Sequence, residues 1–152
     1  MGDARKTLKK VHQLKFRADA IFLDPFSPPH CPQLWTVEFL GLAAKCLQPD
    51  GRLATYSCAA AVRTALMTAD LKIGSTAPFG RRSPGTVANF TNSNLSALSQ
   101  EEEEHLQTRA SIPYRDPQLC DSAGEILQRR QIEQQNSELE PTSHWKKRWT
   151  ST

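Results

Sequence analysis

The feature that most limits how this chain folds is Ala20-Ile21-Phe22-Leu23-Asp24-Pro25, an apolar run that ends in an acid and is cut off by proline. Such a run predicts a strand over Ala18 to Asp24, buried on both faces of a parallel sheet. Proline lacks the amide hydrogen a central strand needs and fixes its own φ, so the strand must stop there. Pro25, Pro28, Pro29 and Pro32 all fall within residues 25–33. That stretch is therefore expected to be a stiff, extended loop.

Elements on either side follow from periodicity. Asp3 to Leu14 reads as an amphipathic helix capped by Asp3, with Leu8, Val11 and Leu14 on one side and Lys6, Lys9 and Lys10 outward. A helix is expected from Leu34 to Leu47, stopped by Gln48-Pro49-Asp50-Gly51, followed by a strand from Arg52 to Ser57 and a helix from Ala59 to Ala69. Lys72 to Thr76 and Thr86 to Phe90 read as two strands joined by a turn over Pro78 to Gly85. Alternating strands and helices announce a doubly wound α/β sheet, because each parallel crossover needs a helix, and this one is expected to end in an antiparallel hairpin.

Beyond Phe90 the composition turns to Thr, Asn and Ser. Three segments are expected: residues 1–90 as the α/β domain, 91–99 as a linker, and 100–152 as a helical, partly flexible tail. Ser99-x-x-Glu102 and Ser122-x-x-Glu125 have the spacing of capping boxes, predicting helices from Gln100 and from about residue 123 to Leu139. The acids Glu101 to Glu104 read as a solvated first turn, favourable near a helix N-terminus. Trp145 and Trp149 share one helical face around Lys146, Lys147 and Arg148. That face either packs back onto the domain or offers stacking and cationic contacts to RNA.

Charge separates the two halves. Residues 1–90 carry 12 Lys and Arg against 6 Asp and Glu, and residues 91–152 carry 7 against 10. The net +3 thus hides a basic front, compatible with a polyanion such as RNA. Cys31, Cys46, Cys58 and Cys120 form no Cys-x-x-Cys pair, so a reduced protein without a structural metal is expected. No stretch approaches the roughly 20 apolar residues of a membrane helix, and the N-terminus lacks a signal-peptide core. A cytoplasmic location is the expectation.

In an open α/β sheet, ligands sit beyond the carboxyl ends of the strands, and Asp24 closes the first one. An acid, a proline and an aromatic in a rigid loop suit a nitrogen methyltransferase: oxygens hold the amine with its lone pair aimed at the methyl donor, and a ring packs on the substrate. Positioning supplies much of the rate of such an in-line displacement. The alternative is that Asp24 merely caps a turn.

The neighbouring motifs bear on that choice. Gly2-Asp3-Ala4-Arg5, Ala18 to Pro28, Cys31-Pro32-Gln33-Leu34-Trp35-Thr36, Gly51 to Tyr56, Ala61-Val62-Arg63 and Phe79-Gly80-Arg81-Arg82 resemble the methyltransferase domain of the MnmC-type tRNA modification enzymes. The resemblance covers roughly residues 2 to 90, in the family's order. It implies a class I methyltransferase, Rossmann-like α/β fold with S-adenosylmethionine as donor and tRNA as partner. The implied reaction methylates the aminomethyl group on the wobble uridine, giving 5-methylaminomethyl-2-thiouridine. By the same mapping, Asp24, Phe26 and Pro28 are the catalytic motif facing the amine, and Asp3 is the cofactor-binding residue at the adenine end. Trp35 either walls the pocket or belongs to the core.

The chain departs from that family in two places. Pro25 stands where the family usually has Gly, stiffening the loop and bringing it nearer the Asp/Asn-Pro-Pro-aromatic loop of amino methyltransferases. The Gly-rich turn after the first strand and the acid after the second, which hold the cofactor, have no counterpart. Of the order 3-2-1-4-5-7-6, the half-sheet 4-5-7-6 is expected. The strand Ala18 to Asp24 then has an apolar edge with unpaired backbone groups, which favours aggregation. Either the true start lies upstream, or a partner chain supplies the missing N-terminal half, or the chain is a non-catalytic RNA-binding or interaction remnant. A flavin-linked oxidoreductase is set aside because no Gly-x-Gly-x-x-Gly turn occurs.

Overall fold

The computed structural model describes residues 2–78, 80 and 82–150; Phe79 and Arg81, in the expected hairpin turn, lie outside the described residues. In chain order the elements are α1 (Ala4–Gln13), β1 (Ala18–Leu23), α2 (Val37–Lys45), β2 (Leu47–Thr55), α3 (Ala60–Thr68), β3 (Lys72–Ser75), β4 (Thr86–Asn89), α4 (Gln100–His105), α5 (Ala123–Asn136) and α6 (Thr142–Thr150). Short 3-10 turns at Pro32–Leu34 and Arg109–Ser111 complete the regular structure.

The four strands lie in the order β1-β2-β4-β3. β1 and β2 are parallel, whereas β4 runs antiparallel to both β2 and β3. With β1 as the fourth strand of the seven-strand order, this is the expected 4-5-7-6 half-sheet of a Rossmann-like α/β fold. The hairpin is closed by Thr76, whose N–H donates to the Gly85 carbonyl (3.2 Å) and whose hydroxyl accepts from Gly85 N (3.0 Å).

β1 differs from the expectation of burial on both faces. Ile21 and Leu23 are half-buried against the core, but Asp19, Ala20 and Phe22 are exposed, Phe22 at 83%. The physical reason is that the core lies on one face only at this strand, and among the described residues β1 pairs with β2 alone.

The second strand also begins earlier than its sequence suggests. Gln48-Pro49-Asp50-Gly51 does not separate helix from strand but lies inside β2 as an irregularity, with Ala18 opposite Leu47 and Ala20 opposite Arg52. Gly51 is required there: a Cβ would sit 3.0 Å from the carbonyl oxygens of Ala18 and Asp19. α2 starts at Val37 rather than Leu34, because the Thr36 hydroxyl accepts from Phe39 N (3.1 Å) and caps the helix.

The core joins α2, α3, the sheet and the C-terminal region. Trp35, Leu40, Leu53, Val62, Leu66 and Ile126 are fully buried in one cluster, with Tyr114 at its margin. Val37 N donates to the Tyr114 carbonyl (3.0 Å). Arg5 on α1 donates through Nη1 to the fully buried Asp116 (2.7 Å). The segment read as a tail thus contributes Tyr114, Asp116 and Ile126 to the interior.

Both capping boxes form, Ser99 with Glu102 and Ser122 with Glu125. Glu102, however, is no solvated first-turn acid. It accepts from Arg63 Nη2 (2.7 Å), Ser75 Oγ (2.8 Å) and Ser99 N (2.8 Å). The two tryptophans of α6 pack back onto α4: Trp145 Nε1 donates to the Glu101 carbonyl (3.1 Å) and Trp149 Nε1 to the Glu104 carboxylate (3.0 Å).

Candidate active site

Register brings the site together. Leu23 on β1 pairs with Thr55 on β2, so the residues that follow, Asp24 and Tyr56, emerge side by side at the carboxyl end of the parallel strands. Together with Pro25, Phe26, Ser27, Cys31 and Leu34 they line an open cleft of about 800 Å³. This is where an open α/β sheet places its ligands.

The loop after β1 is fixed from behind by two aromatic side chains. The Tyr56 hydroxyl donates to the Pro25 carbonyl (2.9 Å), and Trp35 Nε1 donates to the Phe26 carbonyl (2.8 Å). The two rings meet edge to face, with centroids 6.0 Å apart and an interplanar angle of 88°, a favoured aromatic geometry. Trp35 is fully buried, so it belongs to the core and acts on the cleft through the loop. Ser27 Oγ and His30 Nδ1 lie 2.8 Å apart and close the far end of the loop.

Among the described residues the Asp24 carboxylate makes no hydrogen bond or ion pair, and it is exposed at the cleft. It is an acceptor waiting for a donor. Phe26 stands 81% exposed beside it. Pro28, in the same loop, is buried and does not line the cleft.

Asp3 lies apart from this cluster at the N-cap of α1. Its Oδ1 accepts from Arg5 N (2.9 Å), and both carboxylate oxygens accept from the Arg5 guanidinium at 2.8 to 3.2 Å. That side-chain pairing holds Asp3 below its ordinary value despite its partial burial. The structure thus brings Asp24 and Phe26 together at the cleft, buries Pro28 in the same loop, and leaves Asp3 on another element.

Sequence reasoning missed Tyr56 as a clamp on the loop. Its signal was the register: an aromatic with a hydroxyl one residue past the end of a parallel strand reaches the loop leaving the neighbouring strand. No group of three or more His, Cys, Asp or Glu side chains among the described residues gathers in a metal-binding arrangement. No helix among them is long and apolar enough to cross a membrane.

Comparison with known proteins bears on the family and the fold. The MnmC bifunctional protein of tRNA 5-methylaminomethyl-2-thiouridine biosynthesis from Ralstonia nicotianae is 39% identical over 90 residues, covering 59% of this chain and 13% of that protein. An uncharacterised protein of Methanocaldococcus jannaschii is 30% identical over 134 residues, covering 86% of this chain and 36% of its own. The crystal structure of MNMC2 from Aquifex aeolicus superposes with a TM-score of 0.81 at 34% identity, covering 90% of this chain and 44% of that one. The chain therefore spans less than half the length of each of these relatives. A family model described as S-adenosyl-L-methionine-dependent methyltransferase matches residues 1–91, and to that family the chain belongs.

Proposed function

We propose that the Asp24 cleft is the acceptor site of a methyl transfer to an amine on tRNA, the aminomethyl group of the wobble uridine. The observation that carries this reading is the unpartnered Asp24 carboxylate at the end of β1, on a loop whose next two carbonyls are pinned by Tyr56 and Trp35. The names of the MnmC relatives supply the substrate class.

In this reading the amine donates its hydrogens to Asp24, which turns its lone pair away from the acid and toward the incoming methyl group. Asp24 also accepts the proton that the nitrogen sheds once it has gained a methyl. Phe26 packs on the uracil ring and shields the amine from water. Pro28 holds the loop in the shape that presents both. Because the loop is already ordered, little of the binding energy is lost in arranging it.

S-adenosylmethionine, when bound, supplies the electrophilic methyl. The described residues fit it in part. Asp3 keeps 33% side-chain exposure, but each oxygen already accepts two hydrogen bonds from Arg5, so an adenine amine has to displace one of them to bind there. No described strand runs into a Gly-rich turn of the kind that takes the methionine end, so no step is assigned through the cofactor. We further take residues 1–90 as the catalytic unit, with 91–99 joining it to a helical region from 100, and the cytoplasm, where tRNA is modified, as its place of action.

The test is methyl transfer from labelled S-adenosylmethionine to tRNA with and without the wobble aminomethyl group, using the protein at its full natural length. Label is expected in the first tRNA alone. Label in neither, with salt-sensitive tRNA binding retained, would replace the enzyme with a non-catalytic RNA-binding module.

A further inference from the structure

The row of residues that ends the sheet at the Asp24 side runs on past the cleft. Leu23 pairs with Thr55, Thr55 with Thr86, and Thr86 with Ser75. A second cavity, of about 520 Å³, opens beside Ser75 at this same end. With strands about 4.8 Å apart, it lies roughly 14 Å across the sheet from the β1 terminus.

Its walls are of two kinds. Cys58, Ala59, Pro78 and Pro84 contribute small and aliphatic surface, and His105 and Trp145 contribute aromatic surface. The imidazole and indole of that pair are stacked, with centroids 4.0 Å apart and an interplanar angle of 10°. Burial, together with Arg63 and Lys146 nearby, holds His105 below its ordinary value and so favours the neutral imidazole in the stack.

Of the polar side chains that line the cavity, which include Ser75, Thr76, Ser83 and Ser99, Arg63 alone is fully buried. Arg63 is 98% buried by its 2% exposure, and its Nε and Nη2 are committed to Thr86 Oγ1 (3.0 Å), the Gly85 carbonyl (3.4 Å) and Glu102 (2.7 Å). Its Nη1 makes no hydrogen bond among the described residues, although Arg63 lines the cavity. A guanidinium nitrogen left over in a confined site is a donor for a ligand acceptor. Glu102 already neutralises the Arg63 charge, and Glu101 adds another acid to the lining. An anionic phosphate would lose hydration here without a net positive charge to meet it. A neutral planar ring with a carbonyl or ring-nitrogen acceptor matches both the aromatic lining and the buried Arg63 donor.

We propose that this cavity binds a second nucleobase of the RNA, one that flanks the methylated uridine, stacked on the His105–Trp145 pair and accepting from Arg63 Nη1. The assignment rests on the reading of the Asp24 cleft as an RNA-base site. The distance between the two cavities suits an unstacked single-stranded run, in which neighbouring bases splay into separate pockets.

The experiment is NMR of the chain with labelled indole nitrogens, titrated with a short single-stranded RNA and, separately, with inorganic phosphate. RNA is expected to shift the Trp145 indole resonance while phosphate leaves it in place. Trp145→Ala should weaken RNA binding at least about fivefold. Trp149→Ala, which loosens α6 from α4 without touching the cavity, should weaken it little. An unmoved Trp145 resonance, an equal shift with phosphate, or an equal loss in Trp149→Ala each overturns the assignment. None of these outcomes depends on whether methyl transfer to the wobble amine occurs, so the two readings fail separately.

Discussion

The two edges of the sheet are finished in opposite ways. At the β3 edge, Ser75 N donates to the Ser96 carbonyl (3.1 Å), and the chain passes so close that a Cβ on Gly74 would lie 2.7 Å from Ser96 O. Asn89 holds that crossing segment in place, accepting from Asn92 N (2.8 Å) and donating to the Ser93 carbonyl (3.0 Å). At the β1 edge no strand or segment among the described residues pairs outward, and Phe22 of β1, like Leu14, Phe16 and Phe26 in the segments before and after it, is exposed. A covered edge stops strand addition, whereas an open apolar one invites it. Asp24, the proposed acceptor-site acid, sits at the end of the open edge, and the proposed second base site sits at the end of the closed one.

The covered side is held by Glu102, which ties Ser75 of β3 to the buried Arg63 of α3. Glu102→Ala leaves that guanidinium unpaired in the interior and should cost about 3–5 kcal/mol, measured by urea unfolding. Gly74→Ala forces Leu95 and Ser96 away from the edge and should cost about 1–3 kcal/mol, with faster exchange of the Ser75 amide in hydrogen-exchange experiments. A Gly74→Ala protein as stable as the parent would show that the covering segment is not seated as described.

Acid should weaken the same closure. Burial opposes ionisation of Glu102, but hydrogen bonds from Ser99, Arg63 and Ser75 outweigh it and hold the carboxyl below its ordinary value of 4.5. A group whose folded value is depressed contributes stability that is fully present above the unfolded value and fades as pH falls through the folded one. Stability should therefore decline as pH drops below about 4.5, and Glu102→Gln should remove part of that dependence. His105 is depressed as well, chiefly by burial, so the packing of α6 on α4 should loosen as pH falls below 6.5 and through the lower folded value.

Phe22→Glu should have the smallest effect on stability, within about 0.5 kcal/mol, because the side chain is already in water. Its effect should appear instead in sedimentation, as reduced self-association of the chain through the open edge. Unchanged association would mean that another surface carries it.

Particular residues show why some of this could be read in advance and some not. The strand–helix alternation and the hairpin followed from periodic patterns and turns, the 4-5-7-6 half-sheet followed from the family resemblance, and Ser99 and Ser122 capped their helices because capping is decided within one turn of chain. Gln48 to Gly51 was misjudged because its turn chemistry is local, while its place inside β2 is set by the approach of β1. Glu102 looked solvated among four acids; its burial depends on Arg63, 39 positions away in sequence. Asp24 could be picked out because a strand end marks a sheet's ligand side, but Tyr56 as its loop's anchor required the register.

The most direct test replaces Asp24 with Asn, which keeps size and polarity but removes the charge, and compares methyl transfer to aminomethyl-bearing tRNA with S-adenosylmethionine binding by calorimetry. The account predicts a loss in kcat/KM of at least about 10²-fold with cofactor affinity little changed. Transfer at the parent rate by Asp24→Asn would contradict it.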